Sequence, residues 1–371
     1  MIRVPKIGKP DYLLALIVFL LCFFGIVMIS SASIVASGEY HGSNFYYVTH
    51  QLISLIVGLI GLVVAYFIDY RFWRKISLSL FLVTLILLIA VFVPGIGKEF
   101  GGAHRWLGFG GILFQPSELV KLTFIIYLAS WLEKRGEQIR EFRAGFIPFV
   151  FLTVILGFLI MSQPDLGTFS VIVGTAVITF YLAGAKPTHL FLGVAGVGVL
   201  LAILIKTAPY RLQRFFVFLN PKEQTLGAAY HINQALIAIG SGGLWGLGFG
   251  QSKQKYLYLP QAHTDSIFAI IAEELGFIRV GLVVLAFVFL CIRGLGIARN
   301  APDNFARLLA TGITCWIILQ AFINIAAMLN LLPLTGIPLP FISFGGSSLI
   351  INLFAVGILL NISKYSKVRE V

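Results

Sequence analysis

Apolar residues in this chain are gathered into runs of about 20, such as Tyr12 to Ser31 and Ile76 to Val93, and that run length is its strongest constraint. Coiled as a helix at about 1.5 Å per residue, each run crosses a hydrocarbon core roughly 30 Å thick. Backbone polar groups inside such a core must be satisfied within the protein, which favours helices. With 58% hydrophobic and 11% charged residues over 371 positions, the chain departs from soluble domains, which sit nearer half apolar and a quarter charged. It reads as all-α: a polytopic integral membrane bundle, one unit over 1–371 with no separate soluble domain. The first run is too long, and lacks the small-residue cleavage site, to be a removable signal, so Met1 to Asp11 reads as a cytoplasmic lead-in.

Hydropathy places ten spans near 12–33, 47–68, 76–94, 116–132, 146–162, 167–184, 189–206, 265–291, 304–330 and 342–363. An even count puts both termini on one side. Of the 27 basic residues, 17 fall on the side of the termini and eight on the other, with Lys121 and Arg279 inside spans. Basic residues concentrate in cytoplasmic loops, so both termini are expected in the cytoplasm. The net charge of +12 then reflects loops facing anionic lipid rather than a nucleic-acid partner. Cys22, Cys291 and Cys315 lie in apolar runs as small hydrophobes, and no disulfide is expected.

One outer connection, about 206–264 between spans seven and eight, is too long to be a simple turn. It carries an aromatic and basic segment from Tyr210 to Pro221 that includes Arg211 and Arg214. A helix-like stretch from Ala228 to Gly240 follows, then a glycine-rich run to Gly250. Interleaved rings and cations suit an interfacial element against lipid headgroups. The glycine run lacks a Gly-Lys-Ser/Thr ending and is no phosphate-binding loop of nucleotide enzymes.

Charged residues within or beside spans are costly and become candidates one by one. Glu118 and Lys121, three apart on one helical face, either pair to fix a helix or line a cavity near Arg105 and Trp106. Gln163 and Asp165 sit at a short outer turn where Asp165 suits a helix cap. Glu273 and Glu274 point about 100° apart, so both should not face one cavity; one is expected to pair with Arg279 or Lys121. Asp265 follows His263 and Thr264 where the long loop meets span eight. A carboxylate there suits the helix dipole, and equally suits a general base near an acceptor hydroxyl at the lipid interface. Pro338, Pro340 and the Gly345-Gly346 pair allow broken helix lining a polar cavity, with Ser343, Ser347 and Ser348 beside it. No residue set spells a metal-binding cage.

Seven segments, Gly102-Ala-His-Arg-Trp-Leu107, Phe114-Gln-Pro-Ser-Glu-Leu-Val-Lys121, Gln163-Pro-Asp-Leu-Gly167, Tyr210-Arg-Leu-Gln-Arg214, Leu259-Pro-Gln-Ala-His-Thr-Asp265, Ala272-Glu-Glu-Leu-Gly-Phe277 and Gly336 to Ser348, occur in an order that resembles the SEDS family of shape, elongation, division and sporulation proteins (FtsW, RodA and SpoVE). The Leu-Pro-Gln-Ala-His-Thr-Asp and Gly-Ser-Gly-Gly segments look closer to its division and sporulation branch. The resemblance implies a peptidoglycan glycosyltransferase that polymerises lipid II at the outer face of the bacterial cytoplasmic membrane, with Asp265 as general base and undecaprenyl diphosphate as leaving group. It implies a class B penicillin-binding protein as transpeptidase partner, together with other divisome or elongasome membrane proteins. The departing diphosphate needs cations, for which Lys121 and Arg105 come first and Arg211 and Arg214 next, or else Mg²⁺ or Mn²⁺; no organic cofactor is expected. Trp106, Glu118, His263 and Ser347 join them as substrate contacts, and Gln163, Asp165, Glu273, Glu274, Pro338 and Pro340 shape the cavity. Ser266 departs from the phenylalanine more usual after the base. Two rival readings use the same bundle: a lipid II flippase, and a non-catalytic scaffold for a transpeptidase.

Overall fold

The computed structural model describes residues 8–100, 103–109, 112–189, 191–193, 195–196, 198, 209–219 and 227–366. Its helices are α1 (Tyr12–Ala32), α2 (Ile34–His41), α3 (Tyr46–Phe67), α4 (Tyr70–Ala90), α5 (Pro116–Arg135), α6 (Ile147–Ser162), α7 (Leu166–Leu182), α8 (Pro209–Leu219), α9 (Ala228–Gly242), α10 (Ile267–Arg299), α11 (Asn304–Met328) and α12 (Gly346–Lys364). A π-helical turn, Phe142–Phe146, leads into α6. Local chemistry sets several starts. Asp11 caps α1 through Leu14 N at 3.0 Å, Asp303 caps α11 through Ala306 N at 2.8 Å, and Pro116 opens α5.

Seven helices among the described residues are long and apolar enough to cross a membrane: α1, α3, α4, Phe142–Ser162, α10, α11 and α12. The chain is a multi-pass helical protein. Two expected spans fall short of that measure for visible reasons. Helix α5 carries Glu118, Lys121, Glu133, Lys134 and Arg135, and α7 has 17 residues. The expected span 189–206 lies largely outside the described residues.

The all-α expectation needs one correction. Strands β1 (Gly97–Phe100), β2 (Ala103–Phe109) and β3 (Ile112–Phe114) form an antiparallel meander between α4 and α5. Leu107 sits opposite both Gly97 and Phe114, and Lys98 opposite Trp106. Strands this short, interrupted by glycines, leave no sustained alternation for hydropathy to detect.

Helices α11 and α12 form the interior, while α3 presents most of its surface outward. Helix α3 packs chiefly on α12, from the far end of the sequence. Gly357 permits that approach, because a Cβ there would collide with the Leu62 carbonyl oxygen. One end of the bundle, here the basal end, is tied by ion pairs and caps. Arg293 grips Asp11 at 2.6 and 3.0 Å, Arg74 meets Glu133 at 3.1 Å, and the Tyr70 hydroxyl donates to Asp303 at 2.7 Å. Gly8 N donates to Lys364 O at 2.7 Å there. The sheet, the 243–266 connection and the 336–345 segment share the other, distal end.

Candidate active site at the distal end of the bundle

Asp265 stands one residue before the N-cap of α10, at the end of a series of turns from 251 to 266. It is half-buried, and its Oδ1 accepts from the Thr264 hydroxyl at 3.2 Å. The N-cap itself is Ser266, whose hydroxyl donates to Pro260 O at 3.0 Å and lies 2.6 Å from His231 Nε2. Which of hydroxyl and imidazole donates in the shorter contact depends on the imidazole tautomer. Ser266, the departure from the family pattern, therefore tethers α9 to the start of α10.

The peptide of Asp265 is held from α11. Asn324, buried, donates through Nδ2 to Asp265 O and to Ile337 O, each at 2.8 Å. One turn earlier, Gln320 Nε2 donates to Pro338 O at 2.9 Å, and its Oε1 accepts from Lys121 Nζ at 2.7 Å and Trp316 Nε1 at 3.0 Å. Lys121 also pairs with Glu118 at 2.8 Å and lies 5.3 Å from the centre of the Trp316 ring. Both members of the pair are 2% exposed. Pro338 and Pro340 deny their segment a strand ladder, so its buried carbonyls are met by side-chain amides instead. Gly336, at φ +70, packs against the Asp265 carboxylate: a Cβ built on it would stand 3.6 Å from Asp265 Oδ2.

His263 is packed rather than offered to solvent. Its ring lies 4.1 Å from that of Tyr47, its Nδ1 is buried without a hydrogen-bond partner, and its carbonyl accepts from Phe344 N at 2.9 Å. Burial, with a smaller contribution from His41, pushes the imidazole down to about 4, so it is uncharged at neutral pH. Gln51 on α3 holds the following turn, donating to Ser343 O at 3.2 Å and accepting from Gly345 N at 3.3 Å. Ser347 Oγ accepts from Gln115 N at 3.1 Å, joining α12 to the start of α5.

Arg105 and Trp106 lie on β2. The Arg105 guanidinium donates to Gln163 O at 2.8 Å and to Pro164 O, clamping the sheet to the turn between α6 and α7. Gln163 is fully buried and donates to Leu88 O at 3.0 Å. Asp165 caps α7 through Thr168 N at 3.0 Å and also accepts the Thr168 hydroxyl at 2.9 Å, which matches the capping alternative.

Glu273 and Glu274 depart from expectation. Neither pairs with Lys121 or Arg279; both carboxylates bind the same loop. Glu273 accepts from Ser252 Oγ at 2.5 Å and Lys253 N at 2.9 Å. Glu274 accepts from Lys255 Nζ at 3.1 Å and Ser31 Oγ at 2.6 Å. The reason is a break in α10 at Gly276 (φ +77), where the glycine-rich run folds back along the helix. A Cβ on Gly276 would collide with Gly246 N, and one on Gly246 with Glu274 O. Gly242 and Gly246 of the run thus serve backbone-to-backbone contact, against Ala272 and Glu274. Arg279 is spent on Trp245 O at 3.0 Å.

The structure therefore gathers Asp265, His263, Glu118, Lys121, Pro338 and Ser347 around the 336–348 segment, while Glu273 and Glu274 brace the neighbouring loop. Arg211 and Arg214 lie on α8, with side chains outside those described. Gln320 and Asn324 were the sequence signal passed over: two amides, i and i+4, within an apolar span. Among the described residues no three carboxylate, imidazole or thiol groups converge as metal ligands. A divalent ion at Asp265 would therefore have a single protein carboxylate among the described residues to hold it.

An integral membrane protein with several helices passing through the bilayer, whose polar residues converge on a carboxylate at one end of the bundle, is the class that fold and site define. A family model described as "Cell cycle protein" (FtsW/RodA/SpoVE) matches residues 11–368, and the chain belongs to that family. Stage V sporulation protein E of Bacillus subtilis is 43% identical over 98% of this chain and 99% of its own length. A probable peptidoglycan glycosyltransferase FtsW of Geobacter metallireducens is 40% identical over 99% and 98%. Among solved structures, a chain from a study of structural coordination of polymerization and crosslinking by a peptidoglycan synthase complex superposes with TM-score 0.79 at 26% identity, covering 95% of this chain and 97% of that one. The rod shape determining protein RodA of Thermus thermophilus gives TM-score 0.72 at 27% identity, covering 96% and 98%.

Proposed function

We propose that this chain is a peptidoglycan glycosyltransferase that polymerises lipid II into β-1,4-linked glycan at the outer face of the bacterial cytoplasmic membrane. Family membership and relatives named for that activity support the enzyme class. The observation that carries the site assignment is Asp265, half-buried and packed against Gly336, with its peptide tied to Asn324. Asn324 is about 20 residues along α11 from its basal end, which sets Asp265 roughly 30 Å away, one hydrocarbon thickness. In this reading the bundle has ten spans, a single domain over 1–371, both termini cytoplasmic and the 206–264 connection outside.

Asp265 takes the proton from the 4-hydroxyl of an acceptor N-acetylglucosamine as that oxygen attacks C1 of the N-acetylmuramoyl unit on the growing chain. The bond from C1 to the diphosphate oxygen breaks, its electron pair leaves with undecaprenyl diphosphate, and the anomeric centre inverts from α to β. Arg105 and Lys121 are each already bonded to two protein oxygens, so they hold the cavity wall, and Arg211 and Arg214 on α8 are the cations for the diphosphate. Mg²⁺ or Mn²⁺ would add neutralisation of that leaving charge, with Asp265 as its protein ligand. The partner is a class B penicillin-binding protein, in line with the synthase complex among the structural neighbours; further divisome or elongasome proteins would join it.

The test is polymerisation of labelled lipid II by the purified protein, with and without its transpeptidase partner and Mg²⁺ or Mn²⁺, comparing wild type with Asp265→Ala. Glycan is expected from wild type alone; equal product from the variant would overturn the base assignment, and none from either would favour transport or scaffolding.

A further inference from the structure

The amide of Asn324 makes two bonds that converge on the base. Both of its hydrogens are used, one on Asp265 O and one on Ile337 O, each at 2.8 Å, and these acceptors belong to segments 59 and 13 residues away in sequence. Ile337 follows Gly336, the residue lying against Asp265 Oδ2. A single buried side chain therefore fixes the spacing between the peptide that carries the carboxylate and the backbone that forms its wall. Gln320 repeats the arrangement one turn away on Pro338 O. Among the described residues neither Asp265 O nor Ile337 O belongs to a sheet, so this amide joins the two segments where no strand ladder does.

We propose that Asn324 is a positioning residue for the glycosyl-transfer reaction, holding Asp265 in register with the Gly336–Pro338 wall so that its carboxylate faces the acceptor hydroxyl. This rests on the reading of Asp265 as the general base. Asn324 touches no reacting atom; it acts on the rate through the orientation of the base. An aspartate at 324 keeps the shape but sets a carboxylate oxygen against two carbonyls, so it should be no milder than alanine. The cost should fall on kcat, since substrate affinity is borne by other groups.

The experiment measures kcat, KM and the pH profile of kcat for lipid II polymerisation by the full chain with its partner. It compares wild type, Asn324→Ala, Asn324→Asp, Asp265→Asn and Asn361→Ala. Asn361 is a buried amide at the basal end with a similar bonding load, accepting from Tyr70 N at 3.0 Å and donating to Tyr66 O at 2.7 Å. Both Asn324 variants should lose kcat by tenfold or more, with KM within about threefold of wild type. Asn361→Ala should lower the melting temperature with kcat per folded molecule unchanged. If Asp265→Asn is inactive while folded Asn324→Ala keeps wild-type kcat, or if Asn324→Ala and Asn361→Ala lose activity only in step with folded fraction, the positioning role is wrong and the base stands. If Asp265→Asn remains active, the base assignment falls first. Should Asn324→Ala fail to fold, Asn324→Ser, whose hydroxyl keeps a donor for one of the two carbonyls, is measured in its place, and wild-type kcat in it would overturn the positioning role.

Discussion

Lys121 keeps its ammonium where little water reaches, and both of its hydrogen-bonding partners are known. Removing one member of a buried pair leaves the other uncompensated, at a typical cost of about 3–5 kcal/mol, whereas replacing both is far milder. Lys121→Met should therefore lower the thermal midpoint in detergent sharply, and Glu118→Leu in the same chain should restore part of the loss; a double variant as unstable as the single would refute the pairing. His263 gives a pH signature. Its folded value of about 4 lies below the unfolded 6.5, so the unfolded chain binds more protons between those values and stability falls as pH drops through that window. At about 1.4 kcal/mol per pH unit the loss is on the order of 3 kcal/mol. His263→Phe should flatten the dependence of melting temperature on pH between 6.5 and 4. The Glu118 and Lys121 pairing was legible in their spacing, because charges in an apolar helix announce themselves. Asn324 and Gln320 were not, because a neutral amide perturbs hydropathy too little to stand out and its acceptors come from a distant loop.

At the scale of elements, the break in α10 is the feature that most depends on a single position. Gly276 adopts a left-handed conformation in direct contact with the backbone of Gly246. Backbone strain alone is worth about 1–3 kcal/mol for a non-glycine residue there, and displacement of the 243–255 loop adds to it. Gly276→Ala is expected to cost at least about 3 kcal/mol, read as a fall in thermal midpoint, and a midpoint unchanged from wild type would count against the contact. Hydropathy located this helix and its junction with the long loop. It could not see the backbone contact at Gly276, nor that one loop wraps far enough round the helix to meet both glutamates, which lie before the break and keep their separation of about 100°. The meander was hidden for the opposite reason: its strands have three to seven residues, too few for a periodic signal.

At the scale of the molecule, the two ends of the bundle make an orientation test. In a chain with Cys22, Cys291 and Cys315 replaced by alanine, Lys98→Cys on β1 should react with a membrane-impermeant maleimide in cells with a permeabilised outer layer. Glu137→Cys, beyond the basal end of α5, should react only after lysis. The reverse pattern would invert the topology. Basic-residue asymmetry carried this expectation from the sequence, whereas the burial of Glu118 and Lys121 within α5 depends on tertiary packing, which no window average contains. The packing of α3 on α12 bears on how the protein is made. About 280 residues separate the end of one helix from the start of the other, so at roughly 5–20 residues per second α3 waits on the order of 15 s to a minute in the bilayer before its main neighbour emerges from the ribosome. Through that interval Gln51 lacks its mates in the 343–345 turn, and a polypeptide released before α12 is complete would present an unpartnered helix with a polar residue to lipid, the kind of exposed segment that membrane quality-control proteases extract.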